Sequence, residues 1–366
     1  MAKAVKRLAA ISVCWAVLAG PLAAQISLTP PAATPPAATA KGKSGATTSH
    51  HATRPAPKPA AAAPKPAPPG PAATTTPDDP RVDLAYGAYQ RGHFVEALRI
   101  ATQRANDKGD IKAMTLLGEL YGNGLGTVRD DAKAALWYKA AADRGDREAM
   151  FALAMFRIRG RGGPADKNEG AKLLAASAKL GNPAAAYNLG LLYLEGQTFP
   201  QDLARAAELF RQAADAGSPE AQYALATFYK EGRGVEKNLT EAARLLKAAA
   251  LADNVDAEVE YAIALFNGSG TPRDVPAAVQ LLWRASRQGN AVAQNRLARV
   301  LLFGMGAPQD KVEGAKWHIV AKAGGDGDVQ LDKEVEKLTP EEQAKAEAQA
   351  RHWLHKDTTA AKANGP

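Results

Sequence analysis

Glycine stands at positions 124, 160, 196, 232, 268 and 304, an interval of 36 residues held without an insertion. A second glycine follows two places on at 126, 162, 234, 270 and 306, with Thr198 in the remaining block. A constant interval of this size means one structural unit copied along the chain, each copy burying its apolar face only by stacking on its neighbours. The glycines also carry a rival meaning, because "YGNGLG" has the shape of a loop that crowds backbone N–H groups around a phosphate. That fingerprint needs a buried strand before it. Here Ala113, Leu117 and Tyr121 come four apart, which is helical spacing, and a phosphate site has no reason to occur six times. Gly124, Gly160, Gly196, Gly232, Gly268 and Gly304 are therefore structural turn residues between two antiparallel helices.

Six blocks begin at Asp110, Asp146, Asn182, Ser218, Asn254 and Asn290, all residues able to accept a bond from an orphan N–H at a helix start. Pro183 and Pro219 follow two of them at the first helical position, where the missing N–H costs nothing. Ala recurs at 113, 149, 185, 221, 257 and 293. Leu117, Leu153, Leu189, Leu225, Tyr261 and Leu297 follow four residues later, each beside Gly or Ala, so one stripe is apolar and one spot small. Second caps stand at Asp130, Asp166, Asp202, Asn238, Asp274 and Asp310, with Glu169, Glu241 and Glu313 placed to complete capping boxes. Trp137, Leu173, Leu209, Leu245, Leu281 and Trp317 are the expected core stripe of the second helix. Gly145, Gly181, Gly217, Asp253, Gly289 and Gly325 are its expected stops.

Ala-x-x-x-Leu-Gly-x-x-Tyr in a first helix, a Gly-x-Gly turn, and small residues with an aromatic in a second resemble the Sel-one-like repeat, a branch of the tetratricopeptide-repeat superfamily. The resemblance covers residues 110–325 and implies an all-α, right-handed solenoid with a concave face lined by first helices, a face that commonly binds protein segments. Departures are Arg157, Leu265 and Leu301 at the place of Tyr121, and Thr198. The cysteine pair per repeat of relatives linked to penicillin binding or β-lactamase activity is missing, so that activity does not carry over. Residues 78–109 look like one shorter-looped tetratricopeptide repeat. Residues 326–356 are expected to cap the solenoid, with Thr339, Pro340 and Glu342 opening a polar helix over its last turn, and residues 357–366 to form a disordered tail.

Ahead of the repeats, the first 77 residues contain no Asp or Glu. A short basic start, an apolar run over 8–20 and small residues before a cut after Ala24 match a secretory signal peptide, placing the chain in a bacterial periplasm. The alternative is an uncleaved inner-membrane anchor over 8–28. Residues 25–77 are rich in Pro, Ala and Thr and cannot assemble an apolar face, so they are expected to form a disordered basic linker. Three cations of the leader and five of the linker account for the whole formal net charge of +8. The part from Asp78 onward is neutral, which argues against nucleic acid as a partner. The linker instead suits contact with an anionic envelope surface. Cys14, the one cysteine, lies in the leader.

No nucleophile elbow or H-E-x-x-H motif is present, and His352 and His355 near the end make a poor metal pair. Neither cofactor, metal nor small-molecule substrate is expected, and no catalytic residues can be named. An apolar flank of the first helices, Phe151, Met155, Tyr187, Leu191, Tyr223, Ile263 and Phe266, with Ile158, Leu194, Thr227 and Val259 alongside, is either a groove for a partner segment or surface packed against the neighbouring repeat. Arg147, Arg157, Arg159 and Arg161 either meet an anionic partner or form a solvated basic loop. The chain is thus expected to be a non-enzymatic protein-binding scaffold or periplasmic regulator, its partner a membrane sensor kinase or an envelope-complex subunit. The alternative is a cell-envelope spacer organising an envelope or polysaccharide-export complex.

Overall fold

A computed structural model describes residues 83–363; the expected leader and linker lie outside the described residues. Sixteen α-helices and no strands occur among the described residues. Two open the array, α1 (Leu84–Gln90) and α2 (Phe94–Lys108). Six hairpins follow: α3 (Ile111–Asn123) with α4 (Asp131–Ala142), α5 (Arg147–Arg159) with α6 (Lys167–Lys179), α7 (Pro183–Glu195) with α8 (Leu203–Asp215), α9 (Pro219–Glu231) with α10 (Leu239–Leu251), α11 (Val255–Asn267) with α12 (Val275–Arg287), and α13 (Ala291–Phe303) with α14 (Lys311–Ala323). Closing the array are α15 (Val329–Glu336) and α16 (Pro340–Ala363). Through the hairpins each helix packs on the helices before and after it in sequence, which is an α-solenoid.

All twelve expected caps hold their helices. Asp110, Asp146, Asn182, Ser218, Asn254 and Asn290 each accept a bond from the N–H three residues on, as when Asn182 takes that of Ala185 at 2.9 Å. The second caps do likewise. Their capping boxes are not closed. The backbone N–H of Asp166, Asn238 and Asp310 donates instead to the carbonyls of Arg157, Tyr229 and Leu301, at 2.8, 2.9 and 3.0 Å. With that donor already satisfied, Glu241 and Glu313 pair instead with Arg244 and Lys316. The same cross-turn bond reaches Tyr121, Tyr193 and Leu265 in the other hairpins. It explains the departures at this place: what the hairpin needs from the residue is its carbonyl, so Arg157, Leu265 and Leu301 serve as well as tyrosine.

In the five turns that carry two glycines, these have separate duties. The first is a left-handed helix stop, as at Gly268 with φ 71°. The second also has positive φ, and it meets the preceding repeat: a Cβ on Gly270 would lie 2.0 Å from the Leu239 carbonyl oxygen at the start of α10, and one on Gly234 2.3 Å from that of Leu203 at the start of α8. No side chain fits there without displacing backbone. Second helices stop at left-handed Gly145, Gly181, Gly217, Gly289 and Gly325, with Asp253 adopting φ 61° in the remaining block.

Of the expected core stripe of the second helices, Leu209, Leu245 and Trp317 are buried, at 4% exposure or less, and the residue after each expected position is buried in every block. Trp137, Leu173 and Leu281 are only half-buried, whereas Tyr138, Leu174, Phe210, Leu246, Leu282 and His318 are 7% exposed or less. Two of these side chains aim at the small spot of the first helix, where size is matched across the gap. Gly118 faces Tyr138 and Gly190 faces Phe210, where an added Cβ would approach the rings to 2.5 and 2.7 Å. In the other blocks Ala154, Ala226, Ala262 and Ala298 stand at the small place while the second helix carries Leu174, Leu246, Leu282 and His318. The bulk absent from one helix is supplied by the other.

Adjacent repeats are registered by polar pairs at the start of the first helices. Lys112 donates to the Asp146 cap at 2.7 Å, Asn182 donates to Glu148 at 2.8 Å, and Asn290 donates to Asp256 at 3.0 Å. An Asp cap has no donor to offer and is met by Lys, while an Asn cap has a spare N–H and is met by a carboxylate.

The ends are sealed by different means. On the first side, Ala85, Ala88, Ala97 and Ala101 are at most 1% exposed, packed with Tyr89 and Phe94. On the last, α16 lies along α14 with Trp353 edge-on to Trp317 at 5.0 Å. Thr339 and Glu342 form the expected capping box. The helix runs on to Ala363, past residue 356, where the tail was expected to begin.

Gly190→Ala is expected to destabilise the chain by about 1–3 kcal/mol through overpacking against Phe210. Adding Phe210→Leu, the pairing used in the neighbouring blocks, should recover most of that loss. Urea unfolding of the two single variants and the double variant measures the coupling.

Candidate functional site

The apolar flank of the first helices is only partly available. Phe151, Met155, Tyr187, Leu191, Tyr223, Thr227 and Ile263 are half-buried, while Val259 and Phe266 are 4% and 8% exposed and belong to the core. What covers the inner edge of the row is the second helix of the same repeat. The Tyr187 ring lies 5.6 Å from that of Phe210 on α8, and Ile158 sits over Gly170 of α6 so closely that a Cβ would be 2.5 Å from its Cγ1. The outer edge belongs to Met155, Leu191 and Ile263, four residues further along each helix than the core-leaning Phe151, Tyr187 and Val259. Together with Ala152 and Ala224 they leave a partly open apolar row across α5, α7, α9 and α11.

The four arginines do not act as one cluster. Arg161 has 24% of its side chain exposed and is engaged inside the array: it donates to both carboxylate oxygens of Asp131 on α4, at 2.6 and 3.1 Å, and to the Gly122 carbonyl at 2.7 Å. Its guanidinium also covers the Phe156 ring at 4.1 Å. Arg147 bonds Glu148 and the Leu180 and Gly181 carbonyls, covering the end of α6. Arg159 is exposed and Arg157 half-buried. Arg161 thus clamps its repeat to the one before and Arg147 ties the two helices of its own hairpin, and the surface they leave to an anionic partner is correspondingly smaller.

The six turn glycines sit where the spacing places them, each as a left-handed helix stop. His318, one of the scattered histidines, is 1% exposed and bonds Asp332 of α15 at 2.7 Å, while Lys322 bonds the same oxygen at 2.8 Å. The pair ties α15 to α14. No described helix is long and apolar enough to cross a membrane.

One position of the first helix varies in a way the sequence analysis passed over. Three residues after the core alanine come Leu116, Ala152, Asn188, Ala224, Glu260 and Arg296. Glu260 takes a bond from Lys230 at 2.9 Å across the repeat boundary. Tyr89 and Glu119, at 2.6 Å, make a similar bond at the first end.

Arg161→Ala is expected to cost about 1–2 kcal/mol, since it removes charge-assisted bonds and leaves Asp131 without its main partner. Arg159→Ala should stay within about 0.5 kcal/mol of the parent. Hydrogen bonds from Arg161, then from Arg129, hold the Asp131 carboxyl well below the usual carboxylate range, outweighing burial. A depressed acid of this kind stabilises above its unfolded value of about 3.9, and its contribution is lost as the pH falls through the folded value. Thermal unfolding between pH 5 and pH 2, as an order-of-magnitude window, should therefore show a weaker pH dependence in Asp131→Asn than in the parent.

Comparison with known families and structures agrees with this architecture. A family profile for the Sel1 repeat matches residues 111–146, 147–182, 183–218, 219–254, 255–290 and 291–326. The fold is similar to that of a protective antigen of uropathogenic Escherichia coli strains displaying an SLR fold, with 27% identity and a TM-score of 0.65 over 77% of this chain and 61% of that one. The present chain thus spans less than two thirds of that antigen. It is also similar in fold to a Sel1 repeat protein from Oxalobacter formigenes, with 24% identity and a TM-score of 0.56 over 65% of this chain and 94% of that one. A comparison with curated proteins gives no match. Repeats of this type mediate protein–protein interaction and are typically found in non-enzymatic scaffolds. With six consecutive repeats covering more than half of its length, the chain belongs to the Sel1 repeat family.

Proposed function

We propose that this chain is a non-catalytic scaffold that binds a segment of a partner protein along the concave side of its solenoid, over the first helices α5 to α11. The observation that carries this reading is the row of half-buried large side chains repeated from hairpin to hairpin: Phe151 and Met155, Tyr187 and Leu191, Tyr223, then Ile263. A single half-buried apolar residue is ordinary on any surface. Repetition at a fixed position on consecutive helices gives an extended surface suited to a helix or an extended segment. The small residues between them, Ala152 and Ala224, leave the backbone of α5 and α9 open to close approach.

The leader pattern of residues 1–24 supports export to a bacterial periplasm, and the basic stretch 25–77 supports contact with an anionic envelope surface on the way to the partner. In that compartment the partner is a membrane sensor kinase or a subunit of an envelope complex. Exposed charge on the second helices, such as Glu208 and Arg244, supports a solvated outer side.

A photocrosslinking residue placed at Met155 or Leu191 in living cells is expected to capture the partner, and one at Glu208 to capture nothing. Capture from Glu208 with none from the first-helix row would overturn the reading. Leu191→Asp should weaken the captured complex at least about tenfold, as burying an unpaired charge costs several kcal/mol.

A further inference from the structure

Val292, Arg296, Arg299 and Phe303 follow one another along α13 at intervals of four, three and four residues, so they share one helix face. Val292 is 43% exposed and Phe303 37%, both large for apolar side chains. Between them the two arginines have different situations. Arg299 is spent: it bonds Asp328, and Gln330 at 2.8 Å. Arg296 is half-buried and has no hydrogen-bond or ion-pair partner among the described residues.

The carboxylates that could serve Arg296 are out of ion-pairing reach or engaged elsewhere. Glu260 is held by Lys230 and Asp328 by Arg299. Asp326 attracts Arg296 without touching it, while the Asp326 carbonyl takes the Asn295 amide at 3.1 Å. Burial, and then repulsion from Arg299, push the Arg296 guanidinium below its usual range. A half-buried guanidinium with no ion-pair partner in the fold keeps its N–H donors available to an incoming anion. The repeat does not require it, because the equivalent places hold Leu116, Ala152, Asn188, Ala224 and Glu260.

We infer that Arg296, flanked by Val292 and Phe303, anchors a carboxylate carried between apolar side chains on the partner protein. Guanidinium presents paired donors in one plane that match a carboxylate's two oxygens. The exposed Val292 and Phe303 give the same segment apolar contact that a hydrated inorganic anion would not use. The inference rests on the scaffold reading above and adds to it the chemistry of the segment's end: apolar along α5 to α11, acidic where it reaches α13.

A phage-displayed library of random 12-residue peptides, selected on the full chain, tests the assignment with a probe of known composition. Peptides enriched on the parent are expected to carry Asp or Glu beside an apolar residue. Selection on Arg296→Glu should replace that preference by Lys or Arg, and Arg296→Lys should retain it. A synthetic peptide of the most enriched sequence should bind Arg296→Gln about 10- to 100-fold more weakly, the range for a lost charge-assisted bond. Circular dichroism shows that each variant is folded, and Arg296→Gln stands in if Arg296→Glu does not fold. Enriched peptides with no acidic preference, or the same preference on Arg296→Glu, overturn the anchor. If such peptides still lose binding on Leu191→Asp, the anchor alone has failed and the scaffold reading stands. If no peptide is enriched, both fall.

Discussion

Everything in the array depends on how closely the turn of one repeat can approach the second helix of the repeat before it. Gly270 and Gly234 lie against carbonyl oxygens at the starts of α10 and α8, closer than any Cβ allows. Their positive φ would exclude most side chains even in open space. At Gly126, Gly162, Gly234 and Gly270 this contact is with backbone and tolerates no adjustment of rotamers, whereas Gly306 meets the Val275 side chain. A repeat length of 36 residues is the count at which that approach recurs. An insertion in either helix or in the turn would move the second glycine off its seat. Thr198 shows how the seat changes when it is filled: its hydroxyl is buried without a partner, and Phe199 stacks on Tyr193 at 5.2 Å in a turn unlike the others.

Around this contact, size and polarity are matched pair by pair. Glycine in the first helix goes with Tyr138 or Phe210 in the second, and alanine with a leucine or His318. An aspartate cap goes with a lysine in the repeat before it, and an asparagine cap with a carboxylate. Individual repeats can therefore diverge in sequence as long as both members of a pair change together. Toward the last repeats the buried places become polar, with Glu258, Ser286, Gln294, Asn295 and His318 at most 6% exposed. There Arg284 reaches Glu258 at 2.7 Å, and Gln294 bonds the Ser286 carbonyl at 3.1 Å. Polar interiors of this kind specify neighbours more narrowly than apolar ones.

Much of this was legible in the sequence, because local chemistry dictated it. Caps and left-handed stops depend on one residue and its own backbone, so Asp110, Asn182 and Gly124 announce themselves at any repeat. Leu209, Leu245 and Trp317 of the expected second-helix stripe are core, but at Trp137, Leu173 and Leu281 the buried residue is the next one, since Trp137 and Tyr138, or Leu173 and Leu174, are adjacent and both apolar. Choosing between them needs the facing small residue, a relation 20 positions away in the chain. Arg161 was grouped with its neighbours in sequence, whereas its partner Asp131 lies in the previous repeat. The apolar row was visible as periodicity, but how far its own second helix covers Tyr187 and Phe266 depends on packing that no spacing reveals. Arg296 could have been found by aligning the six blocks, where it is the one arginine at its place.

Because each helix of the hairpin array packs mainly on the helices next to it in sequence, the chain closes no long loops to reach its folded form. The entropy lost in bringing contacts together stays nearly constant however many repeats are added. Each hairpin finds its seat as soon as the previous one is formed, so the array can assemble progressively from its leading end as the polypeptide emerges. A chain built this way has little need for its final residues until the last hairpin awaits its cover, which α16 then supplies through Trp353.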